Sequence, residues 1–199
     1  MARRTLTIPF MALTPSTMVP LGSPCPDFRL ADVLTGRSIS RSDFAGRPLL
    51  VMFICNHCPY VIHVQEELAR LGRDAAAHGI GIVGICSNDV RTHPMDGPAE
   101  MKATALEHSW TFPYLHDESQ AVARAFDAAC TPDFFLYARD HTLAYRGQLD
   151  DSRPGSPKAV TGADLREAIS CVVEGRPLPS MQRPSMGCNI KWKSSGTST

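Results

Sequence analysis

The chain has 199 residues, of which 43% are hydrophobic and 20% charged, and its formal net charge is zero when histidine is neutral. This is the balance of an ordinary globular protein, and no basic excess favours nucleic acid or an anionic membrane surface as a partner. The length suits one domain better than two. No apolar run approaches the ~18 residues that a membrane span needs, so no membrane partner is expected.

Seven cysteines are present, and an odd number excludes a fully paired disulfide framework within one chain. Their wide and irregular spacing favours reduced thiols with one working pair. The N-terminus has two arginines and a short apolar stretch, but Thr7 and Pro9 interrupt it and no clean cleavage site follows. We therefore expect a cytoplasmic protein. The sequence does not indicate its oligomeric state.

Three segments are predicted along the chain: a loose arm at 1–20, one domain at 21–175, and a tail at 176–199 that docks around Cys188–Trp192. In the domain, an N-terminal hairpin comes first. The apolar run 48–54 then predicts a buried strand, and residues 58–77 repeat apolar side chains at helical spacing.

The remaining elements alternate in type. They are a second buried strand at 80–86, an inserted helix at 98–109 and strand at 112–115, a helix at 118–127, a hairpin of 134–137 and 142–146, and a last helix that ends at Gly175. A helix joins the first two long strands, which should therefore be parallel, and the hairpin adds antiparallel strands. The predicted fold class is α/β, with a mixed central sheet flanked by helices.

A Cys-x-x-Cys pair, Cys55 and Cys58, follows the first buried strand at the start of its helix. Two cysteines at this spacing can close a small disulfide. We expect the first of them to be the nucleophile, at the positive end of the helix where the pKa of a thiol falls, and the second to resolve it. The alternative is half of a zinc site, which needs two further ligands, and the sequence has no second Cys-x-x-Cys.

The order of elements, with this pair at the first helix and Thr131-Pro132 before a hairpin, resembles the thioredoxin fold. Residues 21–53 resemble the entry to its redoxin branch, which holds the alkyl-hydroperoxide-reductase/thiol-antioxidant proteins. Four motifs narrow the resemblance to the peroxiredoxin-like thioredoxin-family subgroup: Phe-x-Cys-Asn-His-Cys-Pro-Tyr-Val, Cys-Thr-Pro-Asp-Phe-Phe-Leu, Tyr-Arg-Gly-Gln-x-Asp-Asp-Ser-Arg-Pro and Gly-Cys-Asn-Ile-Lys-Trp. Together these matches span roughly residues 21–193.

The resemblance implies that Pro132 is cis and faces the cysteine pair, with the backbone of Thr131 presented to substrate. The alternative is an ordinary turn proline. Oxidising members of the family also carry histidine at the position of His57, which implies a pair more oxidising than that of thioredoxin. Cys130 is a candidate third redox thiol or a small buried residue. Cys188 is a candidate second resolving cysteine or a thiol in a docked segment.

The residues and the resemblance together predict a thiol-disulfide oxidoreductase without a cofactor, which exchanges electrons with dithiol or disulfide proteins. A peroxiredoxin-like peroxidase acting on peroxides is the first alternative. Against it, counting back from Cys55 places Met52 where such enzymes have Thr or Ser, and counting back from Cys58 places Cys55 there. A carrier of copper or zinc is the second alternative, although we expect no metal site.

Overall fold

A computed structural model of the protein describes residues 13–194. The strands are β1 (Leu13–Pro15), β2 (Arg29–Asp32), β3 (Ser38–Ser40), β4 (Leu49–Phe53), β5 (Gly81–Cys86), β6 (Tyr114–His116), β7 (Cys130–Thr131), β8 (Asp133–Tyr137), β9 (Leu143–Gly147) and β10 (Met186–Asn189). The helices are α1 (Pro59–Ala77), α2 (Pro98–Glu107), α3 (Ala121–Ala125) and α4 (Ala163–Glu174).

Seven strands form the main sheet in the order β3-β2-β6-β5-β4-β8-β9. β4, β5 and β6 are mutually parallel, because helical connections join them, whereas β8 runs antiparallel to β4 and pairs with β9 as a hairpin. The predicted fold class, a mixed sheet flanked by helices, is confirmed. Among residues 13–194, no helix is long and apolar enough to cross a membrane.

Strand β4 is buried on both faces, which explains its unbroken apolar sequence. Leu50 and Met52 pack on one side, in the cluster that contains the apolar residues of α1 and α4. Val51 and Phe53 pack on the other side, with Phe126 and its aromatic neighbours. Packing on both faces therefore fixes the end of β4, and this in turn fixes the position of Cys55, which follows it.

Helix α3 covers only Ala121–Ala125, whereas the sequence predicts a helix at 118–127. Residues 118–120 instead form a turn held by the buried Asp117. Its carboxylate accepts hydrogen bonds from the hydroxyl of Ser119 and from the N–H of Ala123. Gln120, at φ 63°, has left-handed backbone, which cannot continue a helix.

A second, three-stranded sheet has the order β1-β10-β7. The loose arm predicted at 1–20 is therefore wrong from Leu13 to Pro15, which pair with the tail strand β10. Residues 1–12 lie outside the described part of the chain. In the tail, Cys188 and Ile190 are buried, and the more exposed Trp192 lies under the guanidinium of Arg124 at 4.4 Å. This small sheet brings the two ends of the described chain to the end of β4.

Candidate redox site

Helix α1 begins at Pro59, and Cys58 is its N-cap residue. Cys55 lies two residues beyond the end of β4, in the turn before the helix. The expectation that Cys55 occupies the positive end of the helix is therefore wrong, and Cys58 has that place. The physical reason is Pro59, which has no N–H to donate and is best accommodated in the first turn, so that the residue before it becomes the cap.

Cys58 is fully buried among hydrogen-bonding groups. Its Sγ lies 2.7 Å from the Sγ of Cys188, and in the thiol form it donates to the carbonyl oxygen of Thr131 at 3.2 Å. Hydrogen bonds with the thiols of Cys188 and Cys55 lower the pKa of Cys58, and the N–H of Val61 adds to this against the opposing effect of burial. Cys58 is thus the sulfur at which the site stabilises a thiolate.

Cys55 and Cys188 have the opposite tendency. Burial raises the pKa of Cys55 well above its usual value, and its hydrogen bond with Cys58 and the charge of Asp96 raise it further. The hydrogen bond with Cys58 is also the main cause of the raised pKa of Cys188. The Sγ of Cys55 additionally lies 3.3 Å from the hydroxyl oxygen of Thr131. The pKa shifts of these three thiols therefore favour ionisation of Cys58 ahead of Cys55 and Cys188.

The Thr131–Pro132 peptide bond is cis, as the resemblance implies. Thr131 faces the sulfurs with both its carbonyl and its hydroxyl group, which touch Cys58 and Cys55 respectively. Cys130 precedes it on β7 and points its Sγ towards the carbonyl oxygen of Pro132, 3.6 Å away. Because neighbouring side chains on a strand point to opposite faces, Cys130 is turned away from the three sulfurs. Of the two auxiliary thiols, the structure brings Cys188 to the pair and not Cys130.

A fully buried carboxylate, that of Asp96, lies behind the pair. It accepts hydrogen bonds from the backbone N–H of Asn56 at 2.8 Å and from the side-chain amide of Asn88 at 2.8 Å. Nδ1 of His57 lies 2.6 Å from the same carboxylate, and the ring of His93 stacks on the ring of His57 with 4.6 Å between centroids. His57 is therefore held by Asp96 and is not free to turn fully towards the sulfurs.

Asp96, Asn88 and His93 were missed by the sequence analysis. They lie in the polar loop after β5, where neither periodicity nor spacing distinguishes one residue from another. The only available signal was the position of the loop, since loops at the carboxyl ends of parallel strands meet at one edge of the sheet.

Cys55, His57 and Asp96 each offer a ligand atom, and these atoms lie within 4.8 Å of one another. A thiolate, an imidazole and a carboxylate are together suited to zinc. The short contact between His57 and Asp96 uses two of these groups in a hydrogen bond, so metal binding would compete with that bond.

Replacing Asp96 by asparagine is expected to lower the pKa of Cys55, because the charge of Asp96 is one of the causes that raise it. The pH at which the thiol of Cys55 becomes reactive should therefore fall in D96N. Alkylation of Cys55 over a range of pH values, followed by mass spectrometry, measures the change. E100Q, which removes an exposed charge from α2, is the matched control. An unchanged pH profile in D96N would contradict the assigned role of Asp96.

Asp133 begins β8 directly after Pro132 and is fully buried. Burial raises its pKa from 3.8 to about 7, and the hydrogen bond from the N–H of Ala129 offsets this only in part. Below about pH 4 the folded and unfolded chains both keep the proton. Between these pKa values only the folded chain keeps it, so stability falls as the pH rises towards 7.

The Asp133→Asn variant should lose this pH dependence, because the amide resembles the protonated carboxyl group. The wild-type free energy of unfolding should fall between pH 4 and 7 by roughly 3–4 kcal/mol relative to the variant, at about 1.4 kcal/mol for each pKa unit. Urea unfolding of the reduced proteins at several pH values measures this difference. Parallel stability curves would show that Asp133 is ionised throughout.

The site is closed to solvent. Cys55, Cys58 and Cys188 are 1%, 0% and 2% exposed. A disulfide of any size can therefore reach Cys58 only after a covering segment moves. β10 is the segment that carries Cys188, and it lies beside Thr131 at the end of the described chain.

Comparison with known proteins shows the family to which this chain belongs. Residues 21–146 match the AhpC/TSA family. An uncharacterized conserved protein from Geobacillus kaustophilus has 49% identity and a TM-score of 0.91, over 93% of this chain and 98% of that one. A hypothetical protein from Sinorhizobium meliloti 1021 has 45% identity and a TM-score of 0.89, over 91% of this chain and 99% of that one. No curated protein matches the chain.

More distant structures share the fold alone. A secreted Mycobacterium tuberculosis disulfide oxidoreductase superimposes with a TM-score of 0.57 at 15% identity, covering 72% of this chain and 95% of that one. The match to the family model spans more than half of the sequence and includes Cys55 and Cys58. The chain is therefore a member of the AhpC/TSA family, a redoxin-type protein of the thioredoxin family with a thioredoxin-like redox function.

Proposed function

We propose that the protein is a thiol-disulfide oxidoreductase in which Cys58 is the attacking thiolate and Cys55 its partner. The observation that carries this proposal is the environment of Cys58, a helix N-cap residue whose pKa is lowered by two neighbouring thiols. The sequence-based roles are thereby exchanged, while the pair itself is unchanged. A low-pKa thiolate next to a second thiol is the requirement for disulfide exchange.

The reaction needs two displacements. The Cys58 thiolate attacks one sulfur of a substrate disulfide, forms a mixed disulfide and releases the other substrate sulfur as a thiolate. Cys55 then loses its proton and attacks the Sγ of Cys58, which closes the Cys55–Cys58 disulfide and releases the second substrate thiolate. Two electrons pass from the protein to the substrate, and a dithiol protein must return them. No cofactor takes part.

The surrounding residues set the direction of exchange. Once Cys58 is oxidised it no longer accepts a hydrogen bond as a thiolate, so one cause of the raised pKa of Cys55 disappears and its deprotonation becomes easier. The resemblance implies that His57 makes the pair more oxidising, whereas the charge of Asp96 raises the pKa of Cys55 and opposes this effect. A potential above that of thioredoxin and a cytoplasmic location both remain predictions.

The test uses glutathione disulfide as the substrate and measures the release of glutathione from wild-type, C58S and C55S proteins. Wild-type protein should release two glutathiones per chain, C58S should release none, and C55S should release at least one, because it still forms the mixed disulfide at Cys58. The proposal would be overturned if neither the wild-type protein nor a variant with a displaced tail released glutathione.

Peroxidase activity is the second candidate, favoured by membership of the AhpC/TSA family. Cys55 stands three positions before Cys58, where peroxiredoxin-like peroxidases have Thr or Ser. The hydroxyl group that orients peroxide in those enzymes is therefore replaced by a thiol. Sulfenic acid formation at Cys58 should therefore be slow. Trapping of sulfenic acid after addition of hydrogen peroxide, compared with the rate of oxidation by glutathione disulfide, separates the two reactions.

Metal binding is a third candidate, favoured by the grouping of Cys55, His57 and Asp96. Reduced protein titrated with Zn²⁺ should then release protons and protect Cys55 from alkylation. Alkylation that is unaffected by zinc would exclude a carrier role at this site.

A further inference from the structure

We propose that Cys188 is a second resolving thiol. The tail strand β10 holds it against Cys58, in the position that an extended segment of a substrate would take. This inference rests on the proposed function, because it assumes that Cys58 is the reacting thiolate. It assigns the disulfide of the resting oxidised protein to Cys58 and Cys188.

The first support is the pairing of the strand. β10 runs antiparallel to β7, with Cys188 opposite Thr131 and Asn189 opposite Cys130. This register places the Sγ of Cys188 2.7 Å from the Sγ of Cys58. An extended segment along this edge thus presents a cysteine to the helix N-cap, which is the geometry that a mixed disulfide with Cys58 requires.

The second support is the environment of the Cys188 sulfur. Its Sγ lies 2.7 Å from the Sγ of Cys58, the N-cap residue of α1, where partial positive charge favours thiolates. The hydrogen bond with Cys58 is the main cause of the raised pKa of Cys188, and the backbone N–H of Tyr60 opposes it. Once Cys58 has reacted, that main cause is lost and Cys188 can ionise.

The third support is Gly187, where the backbone of the tail comes closest to the site. A Cβ atom added at Gly187 would lie 2.0 Å from the carbonyl oxygen of Thr131 and 2.6 Å from its carbonyl carbon. No real side chain tolerates such a distance to backbone, so only glycine before Cys188 allows the strand to pair. The Gly-Cys order of the tail is thus a steric condition for contact between the two sulfurs.

The tail is also anchored beyond the strand. The N–H of Lys191 donates to the side chain of Asn88, and the carbonyl oxygen of Lys191 accepts from Asp89 and Gln120. Ile190 is buried in the core. These contacts keep Cys188 in place after Cys58 reacts, provided that opening for substrate is local and brief.

The chemical step balances without a further reactant. Cys58, linked to one half of a substrate disulfide, is attacked at Sγ by the thiolate of Cys188. The Cys58–Cys188 bond forms, the bond from Cys58 to the substrate breaks, and the substrate leaves as a thiolate that takes up the proton lost by Cys188. The Cys58–Cys188 disulfide is then the resting oxidised form, and Cys55 attacks Cys58 in its place only where Cys188 is absent or displaced.

The experiment is oxidation of the reduced full-length protein by glutathione disulfide, followed by alkylation and mass-spectrometric mapping of disulfides. Wild-type and C55S proteins should contain the Cys58–Cys188 link. C188S should contain Cys55–Cys58 instead, and C55S/C188S should accumulate the glutathione adduct on Cys58. A wild-type protein that contains only Cys55–Cys58, together with a C55S protein that accumulates the adduct, would overturn the role of Cys188 and leave the proposed function intact.

The Gly187→Ala variant tests the strand without removing a thiol. It should lose the Cys58–Cys188 link and form Cys55–Cys58, and alkylation of Cys58 should become at least about tenfold faster, since protection follows the free energy of local opening. Met181→Ala, in an exposed part of the same tail, is the control and should behave as wild type. An unchanged link in G187A would contradict the strand geometry. If no variant reacts with glutathione disulfide, it is the proposed function that fails.

Discussion

Replacement of Cys58 by serine is expected to abolish disulfide exchange, with a loss of at least roughly 10³-fold in rate, because removal of an attacking nucleophile leaves only substrate binding. Serine keeps the size of the side chain and its hydrogen bond to the carbonyl oxygen of Thr131. The bond from the N–H of Val61 goes to the backbone carbonyl oxygen of residue 58 and does not depend on the side chain, so the fold should be retained. The release of glutathione from glutathione disulfide measures the rate, and the thermal unfolding of reduced C58S checks the fold.

Cys55→Ser is the matched comparison, because it removes the other cysteine of the pair from the same turn. Its raised pKa leaves it protonated when the site is reduced, so its removal should have little effect on the first displacement. The two variants therefore discriminate between the two possible assignments of the nucleophile. A larger loss of the first displacement in C55S than in C58S would restore the assignment that the sequence predicts and contradict the one made from the helix N-cap.

Replacement of Phe126 by alanine is expected to have the largest effect on stability. Its ring centroid lies 5.4 to 6.4 Å from those of four buried aromatic residues, Phe28, Phe53, Phe135 and Tyr137. Truncation would leave a cavity among rigid rings that cannot collapse to fill it. A loss of about 3–5 kcal/mol in the free energy of unfolding is therefore expected, measured by urea denaturation of the reduced protein.

Leu106→Ala provides the control, since Leu106 is an exposed apolar residue at the end of α2. It should change the free energy of unfolding by no more than about 0.5 kcal/mol. A loss in F126A as small as that in L106A would mean that the aromatic cluster repacks. It would also mean that the cluster does not fix the face of β4 opposite α1.

The sequence predicted those parts of the structure in which local pattern and packing agree. β4 and α1 were found within one residue at each end, because an apolar run and a helical repeat are strong and separate signals. The helix predicted at 118–127 was too long, since the apolar positions Val122 and Phe126 fit the helical period while Asp117 holds the first residues in a turn. Periodicity does not report a side chain that competes for backbone N–H groups.

The candidate site was predicted less completely, for a physical reason. Cys55 and Cys58 are adjacent in sequence, and their spacing alone indicates the chemistry. The contacts of Asp96 with His57 and of Cys188 with Cys58 join residues 39 and 130 positions apart, so they depend on the tertiary fold. The exchange of roles between the two cysteines does not come from the helix boundary, which was predicted within one residue. It depends on the contacts of the Cys58 sulfur with Thr131 and Cys188, which only the tertiary fold supplies.

The small sheet β1-β10-β7 has a consequence for the order of events during synthesis. Cys188 follows Cys58 by 130 residues, which at ~5–20 residues per second corresponds to roughly 7–25 seconds on the ribosome. In that interval Cys55 is the neighbour available to Cys58, and the edge of β7 has no tail to pair with. A nascent chain that meets an oxidant should therefore close Cys55–Cys58, while a completed chain has Cys188 in contact with Cys58. Whether the chain is nascent or complete, and not only the presence of an oxidant, would then decide which cysteine forms a disulfide with Cys58.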